Sequence, residues 1–219
     1  MRNKSSQMKV IKFTFNPFQE NTYLVIDEHK NTVVIDPGCY FQEEKQLLKD
    51  YISQHQLTVL ALLNTHGHVD HIMGNAFIKN EYNVDLYLHE KDVPTLMMGE
   101  RSAQVYGLQL FENSPLPDRY LHEGDVITFG DISFEVIFGP GHAPGHVAFY
   151  SAKEKFVING DILFKGSYGR VDLTGGDFAQ LKHTITEKMF SLPDDTLVYT
   201  GHGPETTIGE EKKNNPILW

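Results

Sequence analysis

The sequence predicts an α+β protein in which two β-sheets pack face to face with helices on their outer sides, giving four layers. Three observations carry this. Each half of the chain repeats one grammar, several strand-like segments followed by a helix or two. The run 57–63 is apolar but for Thr58 rather than alternating, as strands covered on both faces are, and 84–88 reads as another buried strand. No repeat, low-complexity tract or Pro/Ser-rich linker divides the 219 residues, so one domain spanning 1–219 is expected.

The elements follow in order. Residues 8–15 alternate through Val10, Ile11, Phe13 and Phe15, and Asn16-Pro17 ends that strand. Strands at 21–27 and 32–35 flank the turn Glu28-His29-Lys30-Asn31, and Asp36-Pro37-Gly38 stops the second of them. Leu47, Leu48, Tyr51 and Ile52 give 42–54 a helical period. After strand 57–63 a helix is expected over 70–80, then strand 84–88. Residues 90–117 read as partial helices or a cover. Strands 126–129, 132–138, 147–150 and 155–158 are separated by Gly130-Asp131, Gly139-Pro140-Gly141 and Lys153-Glu154. A helix over 178–190 has Asp177 as its N-cap, a strand occupies 196–199, and a helix runs over 208–215.

Composition narrows the function. Lys and Arg number 19 against 29 Asp and Glu, a formal charge of -10, which opposes sequence-independent nucleic-acid binding. No apolar run approaches the roughly 20 residues of a membrane helix. The polar N-terminus has no signal-type apolar region, so a cytoplasmic protein is expected. Cys39 is the only cysteine, which excludes an intramolecular disulfide, and it reads as a buried thiol rather than a nucleophile. The unusual count is histidine, at 11.

The histidines are not scattered. In His66-Gly67-His68-Val69-Asp70-His71, directly after strand 57–63, a tight strand-to-helix loop can fan four ligands around a small volume. His146, Asp161 and His202 each lie in a loop just after a strand, with glycines alongside. These seven residues are the candidate metal ligands. His29, His55, His89, His122 and His183 fall on turns or helical faces outside any motif.

These segments, with Pro140-Gly141-His142-Ala143-Pro144-Gly145-His146, Gly160-Asp161 and Gly201-His202-Gly203-Pro204, resemble the motifs of the metallo-β-lactamase superfamily in order. The stretch 160–172 and the ending 201–209 resemble its glyoxalase II-like hydrolase branch, hydroxyacylglutathione hydrolases, in the short form without a C-terminal helical domain. The resemblance implies the αβ/βα sandwich of the metallo-β-lactamase fold. It implies two divalent ions: His66, His68 and His146 on the first, Asp70, His71 and His202 on the second, and Asp161 bridging, so that Asp70 and Asp161 take part in catalysis. Zinc is the first choice, with iron or manganese suited to the same donors.

It further implies that Asp36 steadies the ligand loop from behind, although a plain strand-ending turn would look the same, and that His142 is a structural or outer neighbour of the ligands. Arg170 falls where the family contacts its thiol carrier, or it pairs with Asp172. Lys165, Tyr168 and Phe164 are candidates for the same mouth. The implied reaction is hydrolysis of a small anionic thioester of the S-D-lactoylglutathione type by a metal-bridging hydroxide. A lactone or phosphodiester hydrolase, a mononuclear-iron persulfide dioxygenase and a non-catalytic metal-binding module are the alternatives; no nucleic-acid or membrane partner is expected, and the oligomeric state is open.

Overall fold

The computed structural model describes residues 8–219; the polar segment 1–7, on which the expectation about a signal region rests, lies outside them. The first sheet has the spatial order β1 (Lys9–Phe15), β2 (Glu20–Ile26), β3 (Asn31–Ile35), β4 (Thr58–Leu63), β5 (Leu86–His89), β6 (Arg119–Leu121). It is antiparallel as far as β3 and parallel from there on. The second contains β7 (Val126–Phe129), β8 (Ile132–Phe138), β9 (Val147–Ser151), β10 (Phe156–Ile158), β13 (Leu197–Tyr199) and β14 (Thr206–Thr207). There only β10 and β13 run parallel. A small hairpin, β11 (Leu163–Phe164) with β12 (Ser167–Tyr168), stands apart.

Side chains facing the sheet interface form the central core: Tyr23, Val25, Val33, Ile35 and Leu63 meet Phe134, Val136, Phe149 and Ile158. The other face of the first sheet, through Leu24, Val34, Leu62 and Leu86, lies under α1 (Gln42–Gln54) and α3 (Asn75–Tyr82), which contribute Leu48, Ile52 and Ile78. The second sheet's outer face, through Ala148, Val157 and Val198, is covered by α6 (Phe178–His183) and α7 (Ile208–Asn214). This double coverage is why β4 reads as a nearly continuous apolar run. The four expected layers are present.

Three regions differ from the sequence reading. The helix expected over 70–80 is two, α2 (Val69–Ile72) and α3, because the Gly74 N–H leaves the helical path and donates to Pro37 O at 2.6 Å. Residues 90–117 hold α4 (Val93–Met97) and α5 (Gly99–Tyr106), and the chain then reaches the edge strand β6, which its short length and the preceding Pro115-Leu116-Pro117 conceal. The helix over 178–190 loosens after His183 into a wide turn over Thr184–Lys188 and a tight one over Met189–Ser191. Its Asp177 cap is as expected, accepting from the Gln180 N–H at 3.0 Å.

Strand direction positions the site. The parallel strands β3 and β4 end at the same rim of the sandwich, as do β10 and β13, and the β8–β9 connection turns there. Asp36, residues 66–71, 142–146, Asp161 and His202 all lie on these loops. The sheets are tied at that rim by Val147 N–H to Thr65 O (2.8 Å), Asn21 N–H to Gly201 O (2.7 Å) and Tyr23 Oη–H to Thr200 O (2.7 Å). No helix among the described residues is long and apolar enough to cross a membrane.

Phe134 is fully buried between the sheets. Phe134→Ala is expected to cost about 3–5 kcal/mol of stability, read as a lower urea midpoint with an unchanged slope.

Candidate metal centre

Two trios of donors meet at the rim. Ring nitrogens of His66, His68 and His142 lie within 4.8 Å of one another, and so do donor atoms of Asp70, His71 and His202. Asp161 stands between the trios. Its Oδ2 is 3.5 Å from both His142 Nε2 and His202 Nε2, and its Oδ1 is 3.5 Å from His71 Nε2. Asp70 Oδ2 approaches His202 Nε2 at 3.1 Å and His71 Nε2 at 3.6 Å.

Each imidazole is aimed by what its other nitrogen does. The His71 Nδ1–H donates to Asp36 Oδ2 at 3.1 Å. The His66 Nδ1–H donates to Thr65 Oγ1 at 3.0 Å, and that hydroxyl donates to Asp36 Oδ2 at 2.6 Å. The His202 Nδ1–H donates to Phe18 O at 3.1 Å, and the His142 Nδ1–H to Arg170 O at 2.7 Å. Asp36 also accepts from the Thr65 N–H at 2.7 Å, and it adopts a φ of 48°, a left-handed conformation rare outside glycine. It therefore holds two histidines of different trios behind the ligand loop, as the resemblance implied.

Charge states suit coordination. Burial, then the neighbouring His71 and His146, hold His66 far below the usual histidine range, and burial with His142 pushes His68 down to about 3. Both are neutral with a free lone pair. Burial alone would raise Asp161, but His71 and His202 hold its carboxyl well below the carboxylate range, so it is ionised. Four atoms of the candidate ligands are buried without a hydrogen bond: His66 Nε2, His71 Nε2, His146 Nδ1 and Asp161 Oδ1. Unpartnered polar atoms in an interior are costly, and here they belong to the donor set that divalent ions would satisfy. The residues fit the group.

His142 and His146 both turn toward this space. His146 stacks on His66 at 4.6 Å; its Nε2 accepts the Asp161 backbone N–H at 3.1 Å, while its buried Nδ1 has no hydrogen-bond partner. His142 Nε2 accepts from His68 Nδ1 at 2.8 Å and its Nδ1–H donates to Arg170 O. His146 thus keeps an open nitrogen beside His66, whereas both nitrogens of His142 are engaged.

Sequence reasoning also passed over two buried acids. Asp92, just before α4, accepts N–H bonds from Gly67 and from Gly145 (2.9 Å) and a hydroxyl bond from Thr95 (3.2 Å). It thus clamps both histidine loops to the 90–117 segment. The approach is close enough that a Cβ on Gly145 would stand 2.6 Å from Asp92 Cβ, and one on Gly67 2.6 Å from Leu96 N. The glycines beside the histidines serve this contact. Glu20 is fully buried behind His71; it accepts from Thr22 Oγ1 at 2.9 Å, and burial raises its carboxyl well above the usual range. Nothing in the sequence signals either: Glu20 lies between Gln19 and Asn21, Asp92 follows Glu90-Lys91, and no motif marks them.

The donors form the floor of a cleft of about 440 Å³. Tyr168, Arg170 and Phe164 line it, whereas Lys165, at the tip of the β11–β12 hairpin, does not. Arg170 is paired bidentately with Asp172, at 2.7 and 2.6 Å. Cys39 is buried, as expected, and burial pushes its thiol up to about 12.

The model of the metallo-beta-lactamase superfamily matches residues 15–202. The chain belongs to that superfamily. Hydroxyacylglutathione hydrolase GloC of Haemophilus influenzae is 37% identical over 203 residues, covering 92% of this chain and 93% of that protein. TTHA1623, solved in a di-iron-bound form, superposes with a TM-score of 0.85 at 41% identity, covering 95% of this chain and all of that one. The B3 metallo-beta-lactamase BLEG-1 gives a TM-score of 0.88 at 35% identity over 96% of this chain and 99% of that one. This superfamily member is thus a metal-dependent hydrolase with a His-rich, binuclear-type site.

Two predictions follow from the donor set and the clamp. His146→Ala should lose about one of two bound ions per chain and His142→Ala should retain both, as read by elemental analysis after gel filtration. Asp92→Asn, which sets an amide donor against one of two N–H groups, should weaken metal retention about 10- to 100-fold, measured by competition with a chromophoric chelator.

Proposed function

We propose that this protein hydrolyses thioesters of the S-D-lactoylglutathione type with two divalent ions. His66, His68 and His146 would hold one, Asp70, His71 and His202 the other, with Asp161 shared. The observation that carries the reading is the set of unpartnered donors, His66 Nε2, His71 Nε2, His146 Nδ1 and Asp161 Oδ1, in and behind the floor of a substrate-sized cleft lined by His68, Asp70, Asp161 and His202. The likeness to GloC supplies the substrate type. Zinc is the assigned metal, and the di-iron form of TTHA1623 makes iron its alternative. Bound ions in such a site acidify water and polarise a carbonyl.

The chain's own residues supply the rest. Two divalent cations against the carboxylates of Asp70 and Asp161 leave the floor net positive, inside a protein of formal charge -10. That favours a substrate negative at, or becoming negative at, its carbonyl. Asp36, Thr65, Phe18 O and Arg170 O keep the imidazoles in one orientation, so little rearrangement is needed when charge develops. Among the described residues lining the cleft, the ionisable side chains apart from the histidines and aspartates of the floor are Tyr106, Tyr168 and the paired Arg170. With both nitrogens of His142 engaged, by His68 and Arg170 O, and no further carboxylic acid in the lining, the site suits a departing group that leaves as an anion. A thiol of pKa about 8.5 does so far more readily than an amine or alcohol.

The test is a steady-state survey of thioesters, lactones and phosphodiesters on protein of known metal content. Two ions per chain, turnover of several thioesters, and loss of activity in a folded His68→Ala variant are expected. A single iron per chain with no thioester turnover, or a faster rate on lactones or phosphodiesters, would overturn the reading.

A further inference from the structure

The walls of the cleft differ in kind from its floor. On one side stands Phe18, whose ring meets Tyr106 of α5 edge-on at 5.1 Å, and whose carbonyl holds His202. Facing the same space are Phe164 and Tyr168 of the β11–β12 hairpin, with Phe164 edge-on to the His202 ring at 6.2 Å. Met98 and Leu173 complete the mouth. The polar groups between them are hydroxyls, such as Ser102 and Thr174.

No free cation faces this space among the described residues. Arg170 is the one Lys or Arg of the lining, and both of its bonded nitrogens are taken by Asp172. Lys165 is exposed outside the lining. A carrier such as glutathione, with two carboxylates, would thus find its charges unmatched above the floor. An aromatic or branched apolar arm would find ring faces and a thioether on both sides, and half-exposed Tyr106 and Met98 would lose water on its arrival.

We propose that the preferred substrates are thioesters with a bulky apolar or aromatic arm, which lies between Phe18–Tyr106 and Phe164–Tyr168 while the carbonyl rests on the floor. The carboxylates of a thiol carrier contribute little. This rests on the thioesterase reading of the site and names its substrate class. The chemistry is ordinary hydrolysis: water adds to the carbonyl, the C–S bond breaks, and a carboxylate and a thiol leave.

Two matched series test it on metal-loaded full-length protein. In one, the acyl group changes from acetyl to phenylacetyl on glutathione; in the other, the acyl group is fixed and the carrier changes from glutathione to N-acetylcysteamine and to benzyl mercaptan. At least one aromatic member should gain about tenfold or more in kcat/KM. Removing the glutathione carboxylates should cost less than about threefold, since no cation is paired with them. In Tyr106→Ala the ratio of aromatic to acetyl kcat/KM should shrink toward unity. A lack of gain on both arms, an unchanged ratio in Tyr106→Ala, or a large loss on removing the carboxylates overturns the proposal.

Binding of the non-hydrolysable thioethers S-methyl- and S-benzylglutathione, by calorimetry, separates it from the thioesterase reading. Tighter benzyl binding without turnover of any thioester would sink that reading but keep the apolar cleft. Turnover with equal binding of the two would do the reverse.

Discussion

Everything at this rim depends on one constraint: a buried imidazole offers a lone pair to an ion only if its other nitrogen is engaged and the ring stays neutral. The protein meets it with a different device for each ring. His71 leans on Asp36 directly, His66 reaches the same carboxylate through Thr65, and His202 uses the carbonyl of Phe18. Because those partners come from distant parts of the chain, the fold must be complete before the donors converge. The sandwich exists, in this sense, to bring five strand ends to one edge.

The same constraint explains why the substrate cover is not an accessory. Asp92 opens the α4–α5 segment and receives N–H groups from both histidine loops, so the piece of chain that shapes the mouth also fixes the floor. Contacts this tight around Gly67 and Gly145 leave no room for a larger residue at either place. Glu20, its carboxyl pKa raised by burial beside His71, fills the remaining interior behind the second trio.

Much of this was legible in the sequence, and the misses have physical reasons. The layers could be read because strands covered on both sides are apolar throughout, and helix Gln42–Gln54 because its period is regular. The His66–His71 cluster, Asp161 and His202 could be read from spacing after a strand, where a short loop leaves few directions. Spacing alone does not order His142 and His146, which share one loop: His68 and Arg170 O engage both nitrogens of His142, whereas His146 keeps Nδ1 open. Asp92 was hidden because its role lies in contacts 25 and 53 residues away in the chain, with Gly67 and Gly145. The Arg170–Asp172 pair was foreseen as one of two options, and the geometry selects it.

The account stands or falls on where ions sit. Anomalous diffraction from crystals of the metal-loaded protein tests that directly. Two peaks are predicted, one among His66, His68 and His146, one among Asp70, His71 and His202, with Asp161 touching both. A single peak, a peak ligated by His142 in place of His146, or density at neither place would contradict it.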